Sequence, residues 1–540
     1  MNPARSLLAC VALAALASCG GPGAPATPGG GGSSPAAPVA AKEKVLVFGR
    51  GGDSVSLDPG HEDDGESLTP CEMIYDTLVE FKRGSTDVEP ALAESWDVTP
   101  DGLVYTFKLR SGVKFHDGTP FNADAVIFSL DRQRDPNHPL HGVGGAYKYW
   151  GNMGMSDIVG TIEKIDDLTV KFTLKRAEAP FLANLAMHFC EIVSPEAVTK
   201  WKEDYGRHPI GTGPFIFDEW VPKQKIVLKK NPDYWHGAPK IDRLIYRAIP
   251  EPNTRLLELR GGKIHGFDNP SSFLIETVKD DPSVQVLTLP GMNVGYLAMN
   301  TQKKPFDDKR VRQAISYAVN KQAIIDRLYK GAGVAAKNPL PPSVWGYDDS
   351  VADYPYDKEK AKALLAEAGY DKGFETTLWA MPNPRPYMPD PQKVAESLIA
   401  DLAEVGIRAR MVSYDWATYL AKTEAGEHDL ALMGWSGDNG DPDNFLYILL
   451  SKDATKNPAT NIAFWKNDAY SDLVAQAKVA VDHDKRAELY KKAQQIFHEE
   501  APWVPLAHSM QVIFLKKGVE GFVLYPTQRK DFSYVDLTSS

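Results

Sequence analysis

Tyr105-Thr106-Phe107-Lys108-Leu109-Arg110, followed by Val113-Lys114-Phe115-His116-Asp117-Gly118, alternates apolar and polar residues and then breaks at a glycine-containing turn. A strand with one face buried has this period of two. Thr169-Val170-Lys171-Phe172-Thr173-Leu174 repeats the pattern, and Val45-Leu46-Val47-Phe48 is a short strand before a Gly-rich turn. Other stretches carry the helical period. From Asp308 to Leu328, residues Val311, Ile315, Ala318, Val319, Ile325 and Leu328 fall on one face. Lys358 to Ala368 and Gln392 to Val405 read as helices stopped by Gly369 and Gly406, and Asp484 to Glu500 as another. Strands mixed with helices along the whole chain predict an α/β protein, not an all-β sandwich.

The N-terminus reads as an export signal. Arg5 precedes an apolar run, Leu7 to Leu16, too short to span a bilayer. Leu16-Ala17-Ser18-Cys19 resembles a bacterial lipobox, which makes residues 1–18 a signal peptide and Cys19 the lipidated mature N-terminus. The Gly/Pro/Ala/Ser-rich stretch from Gly20 to Ala41 has nothing to bury, so residues 19–43 are expected to form a flexible tether reaching ~25 Å. Which membrane holds the lipid is open; Gly20 after Cys19 favours the outer one. Over the whole chain, 43% hydrophobic and 24% charged residues support a sizeable core beyond the tether. A net charge of −11 argues against nucleic acid and against adsorption to anionic lipid. Cys71 and Cys190 remain after the signal and anchor cysteines are set aside; outside the cytoplasm they suit a disulfide, with two buried thiols as the alternative.

Enzyme motifs are missing. There is no His-Glu-x-x-His helix, no P-loop and no Gly-x-Gly-x-x-Gly fingerprint. Gly434-Trp435-Ser436-Gly437 lacks the spacing of a nucleophile elbow, and the scattered histidines show no metal-ligand spacing. His116-Asp117, the nearest thing to a catalytic pair, falls in the turn Phe115 to Thr119 and reads as turn chemistry. No catalytic residue, metal or cofactor is expected.

Ala93-Glu94-Ser95-Trp96, continuing through the opening strand to Gly118, resembles the signature of the extracellular solute-binding proteins that serve peptide and nickel ABC transporters, family 5. Pro209-Ile210-Gly211-Thr212-Gly213-Pro214-Phe215, Asn231-Pro232-Asp233-Tyr234-Trp235 and Val311-Arg312-Gln313-Ala314 extend the likeness, which runs from residue 44 to the C-terminus. Leu378-Trp379-Ala380-Met381-Pro382 and the run Gly434 to Phe445 are most similar to the dipeptide-binding branch. The resemblance implies a two-lobed periplasmic-binding-protein fold, type II-like, with an extra subdomain in the first lobe and two hinge crossings. It implies lobe I at 44–290 and 509–540, including the subdomain at about 76–208, and lobe II at 291–508. It also implies a monomer that binds a short peptide, dipeptides foremost, and delivers it to a permease and its ATPase subunits, with a chemoreceptor as a further partner.

A dipeptide is a zwitterion whose ammonium needs a carboxylate and whose carboxylate suits an arginine fork. By resemblance Asp438 takes the ammonium and Arg385, in Arg385-Pro386-Tyr387, takes the carboxylate. Each further residue adds ~3.3–3.6 Å, so a tripeptide would overrun such a ruler. Trp435, Ser436 and Gly437 would lie against the peptide, and Asp63-Asp64-Gly65 would contact it from the first lobe. If those aspartates face the pocket they favour cationic peptides. By spacing alone the run Asp438 to Asp443 is a turn or part of a calcium loop, Arg385 a surface residue and Trp435 a core residue. The same class admits other ligands, namely longer peptides, glutathione, haem or a nickel complex; an exported peptidase is the rival from another class.

Overall fold

The computed structural model describes residues 43–62, 64–382, 384–456 and 459–538, with the backbone alone at Trp416 and Ala417. The proposed signal, the tether, Cys19 and Asp63 lie outside the described residues. Among those described, twelve strands join one mixed sheet around the long strand Trp503–Lys516. Its first half pairs antiparallel with Asn293–Met299 and Gly333–Ala335. Its second half pairs with Gly266–Asp268 and Val284–Pro290. On one flank the order continues through Leu430–Ser436, Phe374–Trp379 and Ile407–Val412. On the other it continues through Val45–Arg50, which pairs parallel with Arg243–Ala248. A separate antiparallel sheet joins Ala93–Val98, Val104–Leu109, Thr169–Leu174 and Val159–Asp166.

The buried side chains sort into clusters that follow these sheets. The largest runs from Met292 to Ala507. Another, from Leu78 to Ile192, fills the space under the four-stranded sheet. Two more combine residues 46–284 with C-terminal ones, including Phe514 and Phe532. The chain crosses between the clusters at two neighbouring segments, around Gly291 and around Ser509. Gly291 N donates to Ser509 O at 2.8 Å, and Asn293 Oδ1 accepts from the Ser509 amide at 2.9 Å. These bonds, one between backbone groups and one from a backbone amide to the Asn293 side chain, tie the two crossings together.

Most of the expected elements are present, including His483–Glu500 and the helices ended by Gly369 and Gly406 with φ of 87° and 90°. One expected helix is broken. Lys309–Ala318 stops, and Asn320 starts a new segment by accepting from Ala323 N at 3.1 Å while its own amide donates to Asp401 at 2.9 Å. A short polar side chain that satisfies free amides makes the break favourable where periodicity sees one helix. The expected disulfide is also corrected. Cys71 and Cys190 are free buried thiols, the first packed with Ile74 and Tyr75 and the second with Leu185 and Phe189 in a different cluster. The His116-Asp117 pair is a turn: Asp117 accepts from Thr119 N at 3.0 Å and from Ser194 Oγ at 2.7 Å.

Candidate ligand site

The strand Leu430–Ser436 is buried as far as Gly434 and surfaces at Trp435 and Ser436. Its end is folded back onto the helix Asp443–Leu450, because the Trp435 indole and the Asp438 amide both donate to Asn444 Oδ1, at 2.8 and 3.2 Å. Gly437 N donates to Met292 O at 2.8 Å, and a Cβ at Gly437 would lie 2.6 Å from the Phe445 ring, so only glycine fits. This fixes the backbone at residues 436–438 against the sheet and aims the Asp438 carboxyl into open space. Burial pushes that carboxyl up to about 6, opposed by a hydrogen bond with the Asn444 side chain. No ion pair to Asp438 exists among the described residues.

Asp438 and Ser436 line two cavities. The larger, about 460 Å³, also takes Gly65 and Gly437 and is walled mainly by residues between 65 and 269 and by residues 527–530. The smaller, about 380 Å³, takes Tyr387, Trp435 and a set of apolar side chains including Leu420, Met433 and Ile462. Tyr387 sits in a turn closed by Arg385 N to Met388 O at 3.0 Å and Met388 N to Arg385 O at 2.9 Å. Its ring lies on Gly434, where any Cβ would collide with it, and its carbonyl accepts from Tyr329 OH at 2.9 Å. Burial pushes the Tyr387 hydroxyl up to about 12, and the nearby Arg385 charge opposes that shift.

The structure therefore gathers Gly65, Tyr387, Trp435, Ser436, Gly437 and Asp438 around two cavities that share Ser436 and Asp438 in their linings. Arg385 is half-buried and Pro386 exposed; they stand beside Tyr387 but line neither cavity. Asp64 is a correction. Its side chain caps the helix Gly65–Ile74, accepting from Ser67 N at 3.0 Å, and it lines neither cavity. The acidic character expected of that segment comes from elsewhere.

Sequence reading missed Glu72, Glu80, His188, Glu191, Arg529 and Lys530, all in the wall of the larger cavity. Arg529 bridges Glu80 at 3.1 Å and Lys530 bridges Asp268 at 3.0 Å. Asp76 accepts from Thr212 Oγ1 at 2.7 Å, Tyr234 OH at 2.9 Å and Trp235 Nε1 at 3.0 Å. Burial pushes His188 down to about 4, so its ring is neutral near pH 7. No local spacing joins residues 72–80, 188–191 and 529–530; only tertiary packing, with the C-terminal residues laid against the helix Gly65–Ile74, brings them together. The other two aspartates of the 438–443 run are ion-paired inside the protein, Asp441 to Arg486 at 2.8 Å and Asp443 to Lys478 at 3.3 Å. Among the described residues no cluster of three or more ligating side chains is placed to hold a metal, and no helix is long and apolar enough to cross a membrane.

Residues 87–457 match the model of the bacterial extracellular solute-binding proteins, family 5, middle region. The chain belongs to this family. It is 44% identical over 511 residues to the dipeptide-binding protein of Escherichia coli strain K12, covering 92% of this chain and 95% of that one. It is 46% identical over 467 residues to heme-binding protein A of Haemophilus influenzae, covering 84% and 85%. The periplasmic binding protein DppA of Helicobacter pylori, solved in complex with the peptide STSA, superposes with a TM-score of 0.70 at 43% identity, covering 91% of this chain and 98% of that one. The two-lobed architecture is that of these relatives, and members of the family are binding proteins of transport systems, not enzymes.

Proposed function

We propose that this solute-binding protein captures short peptides, dipeptides foremost, between its lobes and delivers them to the permease of an ABC importer. The observation that carries the reading is Asp438, a desolvated carboxylate with no cation, held rigidly where two cavities meet. A carboxylate removed from water without a partner is costly, and a ligand ammonium supplies that partner. Arg385, beside Tyr387 at the border of the second cavity, takes the terminal carboxylate as a planar fork. Cavities of this size suit a small ligand. The lobes are assigned to 44–290 with 509–540, and to 291–508, with the subdomain at about 76–208. Cys19 carries the lipid and residues 19–43 tether the body to the membrane.

A second reading is supported by the heme-binding relative and by His188, whose Nε2 is buried in the cavity wall without a hydrogen-bond partner. Native mass spectrometry of the purified protein separates the two. Co-purified masses of free dipeptides, exchangeable for Ala-Ala, are expected. A haem mass with a Soret band, and no exchange with Ala-Ala, would overturn the peptide reading.

A further inference from the structure

Seven carboxylates line the larger cavity against two cations, Arg529 and Lys530. Five of the seven are engaged within the fold. Glu66 accepts from Gly52 N at 2.9 Å and lies 3.7 Å from Arg50; Glu72 accepts from Lys530 N at 3.1 Å. Asp76 holds Thr212, Tyr234 and Trp235, while Glu80 and Asp268 take the two cations. The remaining two are Asp438 and Glu191.

Glu191 follows the short turn His188–Cys190 and is 5% exposed. Its Oε2 accepts no hydrogen bond, and among the described residues no lysine or arginine lies within ion-pair distance of it. Its surroundings do not compensate it. Glu72 and Asp76 repel its charge, Arg529 is already bridged to Glu80, and His188 is neutral. A buried carboxylate is normally paired or hydrogen-bonded, and one that faces a cavity unpaired is waiting for a partner or holding a proton.

We infer that the larger cavity is built for a ligand with two positive charges, the N-terminal ammonium on Asp438 and a lysine or arginine side chain of the first residue on Glu191. The inference rests on the peptide reading above. The position follows from the lining: the Arg385 turn reaches only the smaller, apolar cavity, through Tyr387, so the residue bearing the carboxylate lies there. The first residue, tied by its ammonium to Asp438, faces the acidic space. Burial, with Glu72 and Asp76 nearby, raises the Glu191 carboxyl well above the usual carboxylate range. A bound ammonium or guanidinium favours the ionised form, so the carboxyl proton leaves to the buffer as the ion pair forms.

Calorimetry at pH 7.5 with Lys-Ala, Ala-Ala and Glu-Ala tests this. Lys-Ala is expected to bind at least about tenfold more tightly than Ala-Ala, and Glu-Ala at least about tenfold more weakly. Proton release, read from the dependence of the enthalpy on buffer ionisation, should accompany Lys-Ala and not Ala-Ala. Glu191→Gln should abolish the Lys-Ala advantage, read as the ratio of the Lys-Ala to the Ala-Ala affinity, and the proton release that accompanies it. Equal affinity for Lys-Ala and Glu-Ala in the unmodified protein, or an advantage that survives Glu191→Gln, overturns the assignment while leaving peptide capture standing. Failure of all three peptides to bind overturns peptide capture and this inference with it.

Discussion

Asp438 on one side, and Asp441 with Asp443 on the other, lie within one six-residue run and are all withdrawn from water, yet they have opposite surroundings. Asp441 meets the Arg486 guanidinium, and Asp443 meets Lys478, which also reaches Glu178, far away in sequence, at 3.3 Å. Asn439 donates to Asn184 Oδ1 at 2.7 Å beside the same contact. Asp438 alone points away from these cations and into cavities. The difference shows that a run of acidic residues is not one feature. Two of these carboxylates hold the loop, and the loop so held presents the third.

The comparison breaks most forcefully at Arg486. Arg486→Met leaves Asp441 buried without its cation, and loss of one partner of a buried pair costs about 3–5 kcal/mol of stability. Chemical denaturation should show that loss, while the folded protein still binds Ala-Ala. Asp438→Asn should do the reverse. Stability should stay within about 1 kcal/mol, because no cation is orphaned. Ala-Ala affinity should fall by about 2–5 kcal/mol, roughly 30-fold to several-thousand-fold by calorimetry. Arg385→Ala should lose at least the lower bound of that range, and unchanged affinity in both Asp438→Asn and Arg385→Ala would remove the ruler.

The contrast within the run also marks how far sequence reading reaches. Strands such as Val104–Leu109 and Thr169–Leu174 were legible because a half-buried strand writes its period of two into neighbouring residues. The loop at 434–438 was legible through its resemblance to a family, which named Asp438 without showing why it differs from Asp441. That reason lies 45 residues away, in Arg486 on a separate helix. The acidic wall was hidden for the same cause. Glu191 and Arg529 line one cavity only because the C-terminal residues pack back onto the segment 72–80, and no spacing encodes that. The resemblance places Asp63-Asp64 against the peptide, but Asp64 is turned to the free amides of its own helix.

The smallest effect sharpens the comparison without any substitution at the paired residues. The Asp438 carboxyl sits at about 6 because burial disfavours its charge. Ammonium binding needs the ionised form and stabilises it, so the bound-state value lies lower. Above pH 6 the carboxylate is already charged and affinity is flat. Below it the ligand must first displace a proton, and the Kd for Ala-Ala rises by about tenfold per pH unit, or ~1.4 kcal/mol. Between pH 7 and 5 the peptide amine, with a value of about 8, stays protonated, so it adds nothing to the slope. The same cavity holds Glu80, pushed up to about 7 by burial against the pull of Arg529, as well as Glu72 and Glu191. Asp438→Asn separates their contribution, because a profile that flattens in this variant belongs to Asp438. Asp441→Asn should leave the slope in place, since Asp441 answers to Arg486 and not to the ligand. A slope that survived Asp438→Asn would move the ammonium site to another carboxylate of the wall.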